Sequence, residues 1–201
     1  MCRTSTFKLL NYCFLVLVFK KEHIKLIIWL DGTYGVGKTT VANKLEEKFM
    51  DNDFDILDSD EYFTNMLENF GLGGGCWPQN NKRFIVYFRQ VIEDKLKNSN
   101  KDLIIVMALT QTECKEMLFE YLVNKYNNIK VWHIILVASK EAIISRINAD
   151  AERDTTTALR LLQNNIYFLE NNYSDAIRID TNNKNVFDIA SNIFDICMQN
   201  E

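Results

Sequence analysis

The chain has 201 residues, 47% of them apolar and 25% charged, the balance of a soluble globular domain with enough chain for one real core. A net charge of −4 with no basic face argues against a nucleic-acid partner. Five scattered cysteines (Cys2, Cys13, Cys76, Cys114, Cys197) contain no C-x-x-C pair, which argues against a disulfide framework or a zinc site and fits a reducing cytoplasm.

Residues 1–24 differ in character from the rest of the chain. Leu9 to Phe19 is mostly apolar and flanked by Arg3, Lys8, Lys20 and Lys21. The run falls short of the ~20 residues that a bilayer span needs. It has the rough outline of a signal peptide without a small-x-small cleavage site. A start placed upstream of the true one, an extra packing element, or an anchor in weak contact with a membrane surface are the readings open to it.

From Lys25 the pattern becomes regular. Leu26 to Leu30 is a short apolar, β-rich run, the signature of a buried parallel strand. Gly32-Thr33-Tyr34-Gly35-Val36-Gly37-Lys38-Thr39 comes directly after it and fits G-x-x-x-x-G-K-[ST], the phosphate-binding P-loop. Val41, Ala42, Leu45 and Phe49 then recur at helical spacing, predicting a helix over 38–50. Strand, glycine loop and helix are the context the motif requires. The glycines let successive backbone N–H groups turn toward phosphate oxygens, and the helix N-terminus adds partial positive charge. Lys38 can reach the β- and γ-phosphates, and the Thr39 hydroxyl can ligate Mg²⁺. The whole segment from Gly32 through Thr40 is therefore the expected site for a nucleoside triphosphate.

A second strand, Phe54 to Leu57, runs into Asp58-Ser59-Asp60, and a helix is expected to about Phe70. Gly71, Gly73, Gly74, Gly75, Trp77 and the single proline, Pro78, mark a loop. Phe84, Ile85, Phe88, Val91, Ile92 and Leu96 mark a helix that also carries Arg83 and Arg89. A third strand spans Leu103 to Met107. A helix bears Cys114, Met117, Leu118, Tyr121 and Leu122, and Val131 to Val137 is the fourth strand. Ser139 is positioned to cap a helix with Ile143, Ile144 and Ile147 on its apolar side. The polar stretch Asn148 to Thr157 reads as a mobile lid before a helix with Leu161, Leu162, Ile166 and Leu169. Ala176 to Ile179 is the last strand, and 186–198 the last helix. Alternating strands and helices predict an α/β domain over 25–201: right-handed crossovers and a parallel sheet with helices on both faces.

Ligands of open α/β sheets bind off the carboxyl ends of the strands, so Asp58 and Asp60 are expected near the γ-phosphate. One can take a proton from an acceptor hydroxyl and the other can serve the metal; capping of the next helix is the plain alternative. The third strand ends Val106-Met107-Ala108 with no acid, which directs the metal role to this pair. Thr39 and Asp60 are the metal-side candidates, with the division between Asp58 and Asp60 open. Arg146, Arg153 and Arg160 recur every seven residues and would share one face of an unbroken helix. Arg153, within the lid stretch, is the preferred arginine for neutralising the transferred phosphoryl; Arg146 is expected at the nucleotide, and Arg160 on a solvated face. The loop 71–79 with Trp77 reads either as a lip over an acceptor pocket or as a plain connector. His23 and His133 stand alone, and His133 reads as structural.

Several of these segments resemble the bacterial tunicamycin-resistance protein family: Ile27-Ile28-Trp29 entering the P-loop, Ile104 to Thr110, Val137-Ala138-Ser139-Lys140-Glu141 ahead of Arg146, and Ile179-Asp180-Thr181-Asn182 before an amphipathic helix. The resemblance runs from about Lys25 to the C-terminus and is weakest over 51–100. Wider likeness is to shikimate kinase, gluconate kinase and chloramphenicol phosphotransferase. It implies a three-layer P-loop NTPase fold with a five-stranded sheet in the order 2-3-1-4-5. It also implies an acceptor-side carboxylate after strand two (Asp58 or Asp60), a lid arginine (Arg153) and an adenine edge at Thr181 and Asn182. Motif and resemblance together predict an ATP- and Mg²⁺-dependent phosphotransferase acting on a hydroxyl of a small molecule, with an antibiotic among the candidate acceptors, as a cytoplasmic monomer or homodimer. An ATP-dependent protein that sequesters a drug without chemistry is the alternative. A guanine-specific switch is not expected, because Asn183-Lys184-Asn185-Val186 lacks the aspartate of N-K-x-D.

Overall fold

The computed structural model describes residues 24–48, 54–70, 77–150 and 155–198. The expectations for 1–23, for most of the glycine-rich loop and for Arg153 lie outside these residues. Strand β1 (Lys25–Asp31) leads through the P-loop into α1 (Lys38–Lys48), followed by β2 (Phe54–Asp58) and α2 (Ser59–Phe70). A 3-10 turn (Pro78–Asn80) precedes α3 (Lys82–Asn98) and β3 (Asp102–Val106). Helix α4 joins Thr112–Cys114, a π-type stretch Lys115–Glu120 and Tyr121–Lys125. Then come β4 (Ile129–Val137), α5 (Lys140–Ala149), α6 (Thr155–Asn172), β5 (Ile177–Asp180) and α7 (Val186–Met198).

The five strands form one sheet in the order β2-β3-β1-β4-β5, and every pairing is parallel. This is the expected order. β1 lies at the centre with all seven residues buried, the environment that a continuous apolar run demands. Its side chains alternate between two cores. Ile27 and Trp29 join Phe84, Phe88, Ile105 and Leu118 on one side; Leu26, Ile28 and Leu30 join Val41, Leu45, Ile104 and Ile193 on the other. Helices α3 and α4 therefore cover one face, and α1 and α7 the other. A smaller cluster of Tyr34, Ile143, Ile147, Ala158 and Leu162 packs α5 and α6 onto the P-loop.

Strand and helix limits differ from the sequence expectation by one or two residues. Ser139 caps α5 as expected, accepting the Ala142 N–H at 3.2 Å. Part of the stretch expected as a lid is helical. Asn148 and Ala149 finish α5, and Thr155 to Thr157 begin α6, so polarity there marks exposed helix ends rather than loop. The chain is not helical at Asp150, so Arg146 and Arg160 sit on separate helices and share no common face.

Candidate nucleotide and acceptor cleft

The carboxyl ends of β1, β2 and β3 and the loop after β5 open onto a cleft of about 390 Å³. The P-loop forms its floor. Its turns require glycine: Gly35 has φ +72°, and a Cβ there would lie 2.8 Å from Ile147 Cγ1. Gly32, at φ +139°, leaves no room either, since its Cβ would meet the Leu136 carbonyl oxygen at 2.7 Å. Residues Tyr34 through Thr40 line the cleft. Gly32 and Thr33 lie beneath it, and their carbonyl oxygens accept hydrogen bonds from Lys38 Nζ at 3.0 and 3.2 Å. These bonds curl the lysine over the loop toward the phosphate position.

Asp31, at the end of β1, anchors this floor from below. Its carboxylate is fully buried and accepts the N–H groups of Gly32 (2.6 Å) and Leu109 (2.9 Å). His133 Nε2 lies 3.0 Å from its second oxygen, so that nitrogen carries the proton it donates. His133 packs against Phe119 and Tyr173, and Tyr173 donates its own hydroxyl to the Leu109 carbonyl at 2.9 Å. Burial and then the Asp31 charge push the Tyr173 hydroxyl and the Cys114 thiol well above their usual pKa ranges, keeping both protonated. His133 is structural as expected, and its partner is the residue that holds the P-loop. Asp31 carries no sequence signal of its own, since nothing distinguishes a carboxylate before a P-loop from a strand-end cap.

Asp58 and Asp60 both line the cleft. Asp58 Oδ2 accepts the Thr39 hydroxyl at 2.8 Å, while Oδ1 accepts the Asp60 N–H at 3.0 Å. The carboxylate thus caps α2 and meets the P-loop threonine together. Asp60 is exposed in the first turn of α2. An oxygen-only pair such as Thr39 and Asp58 suits Mg²⁺, which favours hard ligands and keeps several waters. Among the described residues there is no group of three His, Cys, Asp or Glu side chains that would form an all-protein metal cage.

Arg146 stands at the other end. It donates to Thr181 Oγ1 (3.0 Å), the Thr181 carbonyl (2.8 Å) and the Val36 carbonyl (3.4 Å). It ties the β5 end to the P-loop and lines the cleft with Thr181. Asn182 turns away from the cleft lining: its side-chain oxygen accepts the Ser139 N–H at 2.9 Å and its amide donates to Asp180. Sequence reasoning missed Lys184 and Gln79, both of which line the cleft. Gln79 is 4% exposed and donates to the hydroxyl of Tyr34, whose ring centroid is 4.7 Å from that of Trp77.

A parallel 2-3-1-4-5 sheet with a P-loop after its central strand defines a nucleotide-binding protein of the P-loop kinase-like class. A family model described as "AAA domain" matches residues 28–180, and the chain belongs to that family. No curated protein sequence matches it. Among solved structures, it is similar to the Deinococcus radiodurans tunicamycin resistance protein, with 20% identity and TM-score 0.67 over 87% of this chain and 96% of that one. It is also similar to shikimate kinase from Acinetobacter baumannii (22% identity, TM-score 0.58, 89% and 96% covered). Similarity to the Mycobacterium tuberculosis APS kinase CysC is weaker (14% identity, TM-score 0.56, 86% and 97% covered). At these identities the likeness is one of fold.

Proposed function

We propose that the protein is an ATP- and Mg²⁺-dependent phosphotransferase that acts on a hydroxyl of a small molecule. The observation that carries this reading is the convergence of Lys38, Thr39, Asp58 and Asp60 on one cleft, with Thr39 and Asp58 hydrogen-bonded at 2.8 Å. Phosphoryl transfer needs positioning and charge neutralisation more than covalent chemistry, and these residues supply both. The acceptor oxygen forms a bond to the γ-phosphorus as the bond to the β-phosphate bridging oxygen breaks, and ADP leaves. Asp60, exposed at the start of α2, accepts the hydroxyl proton. Lys38 stabilises charge on the β- and γ-phosphates, and Arg153 is proposed to do so from the lid. Thr39 and Asp58 are proposed to hold Mg²⁺, the role that the sequence pattern assigns to Asp60. When bound, the ion would neutralise charge on the phosphates. Arg146 and Thr181 border the base end.

The likeness to the Deinococcus radiodurans tunicamycin resistance protein supports placing antibiotics among the candidate acceptors; the cytoplasm is proposed as the setting from the scattered cysteines without a disulfide pattern. The test is ADP release with ATP and Mg²⁺ against tunicamycin, other hydroxyl-bearing antibiotics, nucleosides and small sugars. Mass spectrometry would track any phosphate added. We expect acceptor-dependent ADP and a phosphorylated product, both lost in Lys38→Ala, whose ATP affinity falls by roughly 10³-fold. Ligand-dependent thermal stabilisation with no product would instead make the protein a drug-sequestering one.

A further inference from the structure

We infer that Thr110 and Asn165 form an inner subsite for the acceptor, a hydrogen-bonding recess that takes one of its hydroxyl or carbonyl oxygens. This rests on the phosphotransferase reading and extends the same cleft. Both side chains are buried, Thr110 at 2% and Asn165 at 1% exposure. Neither the Thr110 hydroxyl nor the Asn165 amide nitrogen has a hydrogen-bond partner among the described residues. A buried polar atom left unpaired is destabilising, and most such atoms in folded proteins are paired. Two unpaired atoms on elements that converge beside one cleft fit a site whose partner arrives with a ligand.

The fold brings both residues to the place where Gln79 meets Tyr34. Thr110 follows β3 in the loop whose Ala108 lines the cleft. Leu109, between them, is held on both sides: its N–H donates to Asp31 and its carbonyl accepts the Tyr173 hydroxyl, each at 2.9 Å. The Thr110 hydroxyl is thus carried on fixed main chain. Just beyond it, Thr112–Cys114 lies against the 3-10 turn that holds Gln79. Asn165 belongs to the inward stripe of α6, with Ala158, Leu162 and Leu169. Ala158 and Leu162 pack with Tyr34 and Trp77, whereas Leu169 joins the cluster of Leu109 and Tyr173. Asn165 therefore sits between Tyr34 and the loop that carries Thr110.

Gln79 stands at the mouth of this recess, since it lines the cleft and donates to the Tyr34 hydroxyl. Inside, the amide nitrogen of Asn165 donates, and the hydroxyl of Thr110 can donate or accept. Together they match a single oxygen that accepts from the amide and shares a hydrogen bond with the hydroxyl. A site of this kind discriminates steeply, because an analogue without that oxygen leaves the buried groups of the protein unpaired. Placement on a long helix and a pinned loop gives the pair the rigidity that such recognition needs.

Thr110→Val and Asn165→Leu keep the side-chain shape and remove the polar atoms. The full chain and each variant are melted with Mg²⁺ and a non-hydrolysable ATP analogue, alone and with tunicamycin, uridine or sorbitol as probe. Without a probe, both variants are expected to melt at or above the wild-type temperature, since each loses an unpaired buried group. Both are expected to bind at least ~10-fold more weakly the probe that stabilises the wild type, with affinity for the ATP analogue unchanged. Thr110→Ser, which keeps the hydroxyl, is expected to retain probe affinity. If Asn165→Leu does not fold, Thr110→Val against Thr110→Ser decides. A lower melting temperature with unchanged probe affinity assigns the two groups to the internal structure of the core and overturns the inference. Unchanged melting with unchanged probe affinity overturns it too, as does a wild type that no probe stabilises. Product analysis with ATP keeps the two readings apart. Probe binding that depends on Thr110 but yields no phosphorylated product leaves the subsite standing and removes the phosphotransferase reading. A phosphorylated product formed with equal KM by the wild type and Thr110→Val does the reverse.

Discussion

The floor of the cleft and its β2-side wall are built in different ways. The floor is made of main chain held by a buried and a half-buried group: Asp31 accepts the Gly32 and Leu109 N–H groups, and Arg146 donates to the Thr181 and Val36 carbonyls. The wall is made of side chains on short or exposed segments: Asp60 in the first turn of a helix, and Gln79 in a three-residue 3-10 turn. Backbone N–H groups recognise any phosphate, so a floor of that kind serves any nucleoside triphosphate. Side chains on a short turn can change without disturbing the sheet, so under the proposed phosphotransfer acceptor identity belongs to the wall.

That division can be broken by mutation. The largest effect is expected at Asp31→Asn. The amide keeps the shape but turns a donor toward groups that need an acceptor, and it breaks a buried pair with His133. A loss of about 3 kcal/mol of stability is expected, read by denaturant unfolding. Relative affinity for different acceptors is expected to stay the same; a change in acceptor preference with stability intact would put Asp31 on the wall side of the comparison. Gly35→Ala comes next. The new methyl meets Ile147 Cγ1 at 2.8 Å in a left-handed backbone, so about 2 kcal/mol of stability should go, together with ATP affinity measured by calorimetry. Wild-type melting and ATP binding would show that α5 yields easily and that the floor is less rigid than its packing implies.

The smallest expected effect sharpens the boundary between floor and wall. Asp58→Asn should raise the Mg²⁺ concentration for half-maximal turnover by about 10-fold, since it weakens the partner of Thr39. Asp60→Asn should leave that concentration unchanged and lower turnover instead. Identical Mg²⁺ profiles in the two variants would remove the distinction between a metal-side and an acceptor-side carboxylate.

Much of the floor is legible in the sequence because its signals are local. G-x-x-x-x-G-K-[ST] specifies a backbone shape over eight consecutive residues, and β1 announces its burial by an unbroken apolar run. The wall is less legible. Asp58 and Asp60 stand out as carboxylates after a strand, yet the hydrogen bond that ties Asp58 to Thr39 spans 19 positions of sequence. Gln79 meets Tyr34 across 45 positions, and no periodicity or motif encodes that contact. The seven-residue spacing that singles out Arg146 has no structural meaning, because the helix breaks at Asp150; its place in the cleft comes instead from Thr181.

Sequence alone determined the parallel α/β architecture, the P-loop entering α1 and the capped start of α5, since each arises from chain-local periodicity, glycine placement or a single cap. Only the tertiary structure decided that Asp31 and His133 support the P-loop, that Asp58 pairs with Thr39, and that Gln79 lines the cleft against Tyr34. Those roles depend on which strand ends and turns the sheet order brings together, and distances across a sheet are set by the packing of the whole core rather than by any stretch of chain.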